Sequence, residues 1–577
     1  MFLPLAVALT FTLPDAAGKL HSENEFANYK ATVFVFLAPE CPLSRAVVAE
    51  VSAIHSAFAL RGVNILGVNA ALPLPFPDLR DPKNTIALQV GATVTPQAVV
   101  VSPRGAVLYS GRIDDRSLAL GRTRRGTPRR DLRSAVEQVL AGKKPNPART
   151  TPTGCSIEFA KPSSADGPVF SRDVAPILHR HCAPCHRPGE SAPFALLIYQ
   201  DAAVRASTLA RVVRERLMPP WLPAPNAAHP FEGARVLEQD EIRALERWAA
   251  GGAPEGDPSE TPAPPPTPEH WPLGKPDAIL RVEAFPVPAS GPDAYRCVVL
   301  PTPLAANRYV WAFDFRPGSP ALHHALLFLD STQAARRRDA ETEGAGYPCF
   351  GTPGFLPSAS LGGWTPGNSA LAYPAGAAVR FRANADVVLQ LHIHPDGVTD
   401  GEARPELALY FQDKPPARRM MDVALGSRRI DIPPGDARYI VRDHFTIPVP
   451  LEVTGIIPHA HYLAREMRGW AIRPDGSRED LIHIREWNFD WQQQYRYRKP
   501  FVLPADTRIE MEFVYDNSAR NPHNPSSPPR RVVWGPDSTD EMAGLHVQVM
   551  PFNDEDASEL AQTLWGRMMR ERWGSIE

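Results

Sequence analysis

The chain has 577 residues, too many for one hydrophobic core, so about three or four domains are expected. With 43% hydrophobic and 22% charged residues it is composed like an ordinary globular protein, and a formal net charge of -2 excludes the basic excess that nucleic acid or anionic lipid would require. No run of about 18 apolar residues occurs, which argues against a membrane-spanning helix.

The chain opens on MFLPLAVALT, part of a signal-like apolar stretch that lacks a basic n-region. Either the export signal is atypical or the true start lies upstream. Residues 31–37 then form an apolar β-branched run, followed by PECPLSR, a helical pattern, and the strands VNILGVNA, TPQAVVVSP and AVLYSGRID. Strands alternating with helices predict an α/β layer, closed by a helix around DLRSAVEQVLAGK, over 1–155. KPNPARTTPTG reads as a linker after that helix. Residues 166–256 switch to short helices (RDVAPILHRHC, YQDAAVRASTLARVVRERL, QDEIRALERWAAGG) and predict a small all-α domain. A Pro-rich linker spans 257–275. From 276 onward, short alternating strands between turns predict all-β sandwiches. Their length suits two, over 276–415 and 416–553, with a helical tail over 554–577.

Within the helical stretch, His181-Cys182-Ala183-Pro184-Cys185-His186 contains Cys-x-x-Cys-His. Two thiols at this spacing add to the vinyl groups of a haem, and the adjacent His186 ligates the iron. A zinc half-site is the competing reading, but no second Cys pair lies nearby to complete it. The other axial ligand is sought among thioethers and imidazoles. Met218, in RLMPPW, is the first candidate, on a segment that resembles the Met-Pro-Pro-Trp element of bacterial cytochrome c-like domains. His229 and His179 are alternatives, and core filler is the plain reading of Met218. Thioether attachment normally occurs outside the cytoplasm, so covalent haem c implies export to the bacterial periplasm or secretion.

Four motifs fall in order in the β-rich half: Leu322-His323-His324-Ala325, Leu389-Gln390-Leu391-His392, Pro458-His459-Ala460-His461, and Asp540-Glu541-Met542. Imidazole and thioether ligands without nearby thiolates suit copper. On a strand His459 and His461 share a face, whereas His323 and His324 need a bulge or twist to converge. His394 shares the strand face of His392 and is an alternative ligand or a neighbour. Any one of these histidines alone is an ordinary surface or core residue.

In that order the motifs resemble the copper type II, ascorbate-dependent monooxygenases, such as peptidylglycine α-hydroxylating monooxygenase and dopamine β-monooxygenase, over roughly residues 276–553. The resemblance implies two jelly-roll-like sandwiches and two copper ions, one held by His323, His324 and His392, the other by His459, His461 and Met542. It also implies O2-dependent hydroxylation of a C–H bond at the second copper, with Gln390 near the electron route. Ala543 stands where the animal enzymes have Cys. Cys297 and Cys349, the only thiols of this half, are expected to form one disulfide. No counterparts of the family's peptide-binding residues are found, so the organic substrate is open.

FLAPECPLSR together with Val94-Thr95-Pro96 resembles a thioredoxin-like or redoxin domain, with Cys41 opening the first helix and Pro96 cis. There is no second Cys in the Cys-Pro-Leu-Ser motif, and Ala38 stands where peroxiredoxins carry Thr, so Cys155 is the one plausible resolving partner. The expectation is an exported oxidoreductase: a copper monooxygenase taking electrons from its own haem, and first from ascorbate or an external redox protein. The competing readings are an electron carrier or copper-binding protein without oxygenase chemistry, and a thiol-linked reductase using Cys41.

Overall fold

The computed structural model describes residues 9–573 apart from 120–121, 124–127, 160–166, 189–191, 193, 266–270, 288–293, 303, 320, 366–367, 369, 394–400, 490, 536 and 538. The side chain of His323 and the whole of His394 lie outside the described part, as does the signal-like start. It is a β-rich, multidomain chain, and among the described residues no helix is long and apolar enough to cross a membrane.

The N-terminal unit is a five-stranded sheet of β1 (Ala31–Phe36), β2 (Val63–Val68), β3 (Asp78–Leu79), β5 (Gln97–Val101) and β6 (Val107–Gly111), in the order β3-β2-β1-β5-β6. The first three run parallel and the last two antiparallel. Every residue of β1 is buried, as a central strand covered on both faces must be. Val33 and Val35 face helices α2 (Val48–Phe58) and α4 (Asp131–Leu140), while Phe34 and Phe36 face α3 (Thr85–Val90) and Phe11. This is the thioredoxin-like arrangement expected, with short α1 (Pro42–Ala46) after Cys41 and a cis Thr95–Pro96 bond after β4 (Val94–Thr95). KPNPARTTPTG is no free linker. It lies along β6, with Ser110 N–H donating to Ala148 and Thr150 N–H to Ser110, and the chain continues into β7 (Cys155–Ser156), paired with β4.

In the helical unit, α5 (Ala175–His181), α6 (Tyr199–Ala203), α7 (Ala206–Arg214) and α8 (Gln239–Ala250) pack around Leu178, Leu209, Val213, Leu245 and Trp248. The expected single helix from Tyr199 breaks at Val204–Arg205.

Two further β-rich units each stack two sheets on a core of their own. The first stacks β8 (Ala278–Arg281), β10 (Arg308–Arg316), β14 (Leu371–Ala372), β15 (Val379–Phe381) and β17 (Glu406–Gln412) on β9 (Ala294–Leu300), β11 (Leu322–Asp330), β12 (Tyr347–Pro348), β13 (Ala359–Trp364) and β16 (Asp386–Ile393). The latter sheet has the order β12-β9-β16-β11-β13. Trp271, from the expected linker, packs on this unit, with Arg316 3.9 Å over its ring. The second stacks β18 (Met421–Gly426), β20 (Leu451–Ala460), β23 (Tyr495–Leu503) and β25 (Ala543–Pro551), in the order β18-β25-β20-β23, on β19 (Tyr439–Thr446), β21 (Ala464–Ile472), β22 (Arg478–Ile484) and β24 (Arg508–Tyr515). The tail α9 (Asp554–Trp573) lies against β25.

The units are docked. The sandwiches meet where the Gln493 amide donates to Asn368 Oδ1 at 2.9 Å. Beside that bond a cavity of about 190 Å³ is lined by Arg235, Phe313, Trp364, Leu371, Gln494 and Arg496 among others. After α7 the helical unit sends a segment onto the second sandwich. Ala224 N–H donates to the His483 carbonyl at 2.7 Å and Glu232 N–H to that of Arg496 at 2.8 Å. Trp221 and Phe231 join that sandwich's core, Trp221 lying 5.3 Å from the Tyr495 ring.

Candidate metal centres and redox groups

In the first sandwich β16 turns Val387, Leu389 and Leu391 into the core, which leaves Gln390 and His392 on the outer face of the sheet. His392 pairs with Tyr295 of β9 on one side and His324 of β11 on the other. The β11–β16 ladder passes from Leu322↔Ile393 to His324↔His392, so His323 is the extra residue of a bulge. That is the irregularity that two adjacent histidines need to approach one point. His324 Nδ1 and His392 Nδ1 are 3.2 Å apart. Two nitrogens each about 2 Å from one ion stand about 3 Å from each other, so this pair fits a shared metal. His392 is fully buried, and Tyr295 stacks on it at 4.3 Å. The Gln390 side chain is hydrogen-bonded to the loop after β12. Its Oε1 accepts from Gly351 N–H at 3.1 Å, its amide lies 3.5 Å from Cys349 Sγ, and its ladder partner is Cys297. Cys297 and Cys349 are disulfide-bonded, as expected, with Cα atoms 5.7 Å apart.

In the second sandwich β20 and β25 pair His459↔Gly544 and Ala460↔Ala543. Both alanines face the core. His459, next to Ala460, lies on the face turned away from the core. The ladder ends there, and His461 and Met542 are the next residues of the two segments, the Glu541 carboxyl accepting the N–H of both. The imidazole centroids are 5.3 Å apart. Nδ1 of His459 is bonded to Gln492 Oε1 at 2.6 Å and Nδ1 of His461 to the Asp540 carbonyl at 3.2 Å. Holding Nδ1 on the protein is how a ligating histidine presents Nε2 to a metal. Burial lowers the His459 pKa. It pushes His461 down to about 3, helped by His459 and opposed by the Asp540 and Asp537 backbone, which keeps both rings in the neutral, ligating form. Glu541 is fully buried behind them. Its carboxyl accepts N–H groups from His461, Leu463 and Met542, and the Tyr515 hydroxyl donates to the Met542 carbonyl at 2.7 Å. Burial, against those three donors, raises Glu541 to about 8. Tyr295, Gln492 and Glu541 were not singled out from sequence.

Among the described residues no group of three or more His, Cys, Asp or Glu side chains gathers as a metal site. Among the described side chains each candidate centre shows two imidazoles, His324 with His392 and His459 with His461.

In the helical unit Cys182, Cys185 and His186 follow α5 in a turn closed by Cys185 N–H and His186 N–H on the Cys182 carbonyl. Neither thiol is in a disulfide, and burial pushes Cys182 up to about 12. His186 Nδ1 is bonded to the Phe194 carbonyl at 3.0 Å, again presenting Nε2, and burial holds its pKa down at about 4. The donor set fits covalent haem c. Met218 packs on the helical core after α7. The alternative axial ligands are committed elsewhere: His179 Nε2 is bonded to the Leu197 carbonyl at 2.9 Å, and His229 pairs with Glu479 while stacking 3.6 Å from the Phe501 ring, on the second sandwich.

In the N-terminal unit Cys41 is fully buried and disulfide-bonded to Cys155, Cα to Cα 5.9 Å. Cys41 Sγ lies 3.0 Å from the Thr95 carbonyl oxygen, beside cis-Pro96. Cys155 is thus the partner that the sequence offered.

No family model and no curated protein matches the chain. Solved structures do. A hypothetical protein from Sinorhizobium meliloti is 26% identical, with a TM-score of 0.24, over 26% of this chain and 92% of its own. The thioredoxin domain of a thiol-disulfide oxidoreductase from Bacteroides vulgatus is 16% identical (TM-score 0.19, 24% of this chain, 99% of that one). An exposed lipoprotein thioredoxin from Streptococcus pneumoniae is 15% identical (TM-score 0.18, 23% and 99%). The two thioredoxin-type structures resemble the N-terminal region of this chain.

Proposed function

We propose that the chain is an exported copper-dependent monooxygenase that hydroxylates a C–H bond of an organic substrate with O2, and that a c-type haem held by its helical unit serves the copper pair with electrons. The observation that carries this reading is the pairing of imidazoles, one pair on each of two docked sandwiches, with His324 Nδ1 and His392 Nδ1 3.2 Å apart and the His459 and His461 ring centroids 5.3 Å apart. Copper at these positions supplies activation of O2 and one-electron steps, and haem supplies single electrons, which side chains alone cannot do.

The chain's own part is positional. Tyr295 fixes the plane of the His392 ring, and Gln492 and the Asp540 carbonyl hold the tautomers of His459 and His461. Glu541 ties His461, Leu463 and Met542 to one carboxyl, so the thioether and the imidazole cannot drift apart independently. Docking of Trp221 and Phe231 keeps the helical unit on the sandwich that carries His459 and His461. Cys182, Cys185 and His186 would hold a covalent haem, and Met218 is the thioether of this unit that would serve as its further ligand.

The test is metal analysis with an absorption spectrum on protein matured in a cytochrome c-competent host, followed by anaerobic reduction and admission of O2. Two coppers and one haem per chain, and O2 uptake of two electrons per hydroxylated product, are expected. Full copper loading without O2 uptake overturns the oxygenase in favour of an electron carrier, and absence of copper overturns both.

A further inference from the structure

Residues 154–158 bridge two units. On one side β7 pairs antiparallel with β4, Cys155 opposite Thr95, and the Cys155 sulfur is bonded to Cys41. On the other side three residues of the segment are gripped by α7 of the helical unit. Arg211 donates to the Gly154 carbonyl, Ser156 N–H donates to the Thr208 hydroxyl at 2.8 Å, and the Glu158 carboxylate accepts from Ser207 N–H at 2.7 Å and from its hydroxyl at 2.6 Å. A second contact runs alongside. Arg205 donates to the carbonyl of Glu40, the residue before Cys41, at 3.4 Å, and its guanidinium lies 4.3 Å over the ring of Phe194, whose carbonyl holds His186.

We propose that Cys41–Cys155 is an exchangeable redox site, reduced by an external dithiol, whose state sets whether the helical unit is clamped to the N-terminal unit. Cys155 is partly exposed and Cys41 fully buried, so an incoming thiolate reaches the Cys155 sulfur. It forms a mixed disulfide there, the Cys41–Cys155 bond breaks, and Cys41 leaves as a thiolate that takes up a proton. The donor's second thiol then attacks the mixed disulfide, freeing Cys155 as a thiol and leaving the donor as its own disulfide. Two electrons and two protons pass from the donor to the chain.

Once reduced, the strand is held to the N-terminal unit by non-covalent contacts: its two-residue ladder with β4, Ile157 N–H on the Thr93 carbonyl at 2.9 Å, the Asn84 amide on the Glu158 carbonyl at 2.8 Å, and Ile157 and Phe159 packed on the core. The bond also closes a sequence separation of 114 residues, so its loss widens the unfolded ensemble and lowers the free energy at which this junction opens. The strand and the face of α7 that grips it then open from the cis-Pro96 edge more often, and the Arg205 contact beside His186 opens with them.

Hydrogen exchange on the full-length protein, oxidised and after dithiothreitol, tests this at residues 94–98, 153–159 and 206–214. Exchange about tenfold faster or more is expected in all three segments on reduction. Cys155→Ser is expected to give the reduced pattern with or without dithiol. Gly154→Ala keeps both cysteines, but its new Cβ meets the Thr95 carbonyl oxygen at 2.2 Å. It is expected to speed exchange at 206–214 while the disulfide still forms. Unchanged exchange at 206–214 after full reduction, verified by thiol counting, overturns the proposal and leaves the bond a staple. A disulfide that resists dithiol in the folded protein overturns it equally. Neither readout involves copper or haem, so the oxygenase reading stands or falls separately.

Discussion

Tyr295 lies parallel to His392, ring on ring at 4.3 Å, on the strand next to the one that carries the histidine. On the opposite neighbour His324 faces the same imidazole at 3.2 Å. The ring of His392 is therefore fixed from both sides, and His324 is the member of the pair that can be removed with least damage to the core. His324→Ala is expected to release one of the two coppers and to leave the other bound, read by metal analysis and by the copper spectrum. Retention of both ions would remove His324 from the ligand set.

Met542→Ile keeps the volume and the backbone bonds to Glu541 and Tyr515 but deletes the thioether. Substrate hydroxylation is expected to fall to background, while reduction of the haem, followed by its absorption bands, is unchanged. Wild-type turnover in this variant would mean that His459 and His461 act without a sulfur ligand.

Gln492→Leu removes the acceptor that holds His459 Nδ1. A lost partner of this kind costs about 10–100-fold in metal affinity, so copper titration is expected to show one weakened and one unaffected site. The thermal midpoint should change little, since Gln492 is only half-buried.

A pH dependence is expected from Asp330, at the end of the His324 strand. Burial alone would raise this carboxyl, but the N–H groups of Ala335 and Thr332 and the Thr332 hydroxyl outweigh it and hold it below its ordinary 3.8. A carboxyl depressed on folding contributes stability above its unfolded pKa and loses that contribution as pH falls through the folded value. Asp330→Asn is thus expected to cost about 1–2 kcal/mol at pH 7. The gap to wild type should close as both are unfolded at progressively lower pH below about 4. A gap that is constant with pH would exclude the ionised form as the source.

Trp221→Ala is expected to destabilise the second sandwich by about 3 kcal/mol, the cost of emptying a large aromatic site, although Trp221 belongs to the helical unit. Denaturation followed by the fluorescence of the remaining tryptophans, with and without residues 219–236, checks it. If only the helical unit weakens, the shared core is not energetically shared.

The parts of this architecture visible in the sequence were those written in short periods. His459-x-His461 carries its geometry in local spacing, because the pleat of a strand sends alternate side chains to one face. The alternation of β16 and β25 sufficed to separate core from outer face. Tyr295 and Gln492 were not legible, because they reach His392 and His459 by strand neighbourhood and by a loop 33 positions away, and sequence does not state which strands lie side by side. The connection 144–154 was misjudged for a related reason. Proline and threonine there look like punctuation, but β6 is an edge strand that offers unpaired backbone groups, and the segment takes them. Trp221 read as part of a haem-ligand element, and nothing local marks it as filler for a core built some 200 positions later.

That interleaving has a consequence for how the molecule comes into being. The segment carrying Trp221 and Phe231 is synthesised, and in an exported chain translocated, well before β20 and β25 exist to receive it. Until the last sandwich emerges these aromatic side chains have no apolar home, so the middle of the nascent chain must stay exposed and in need of a holding chaperone while the first sandwich folds across the gap. Products truncated between Phe231 and Pro551 should accumulate as aggregates rather than as shorter soluble proteins, however well their remaining units are built.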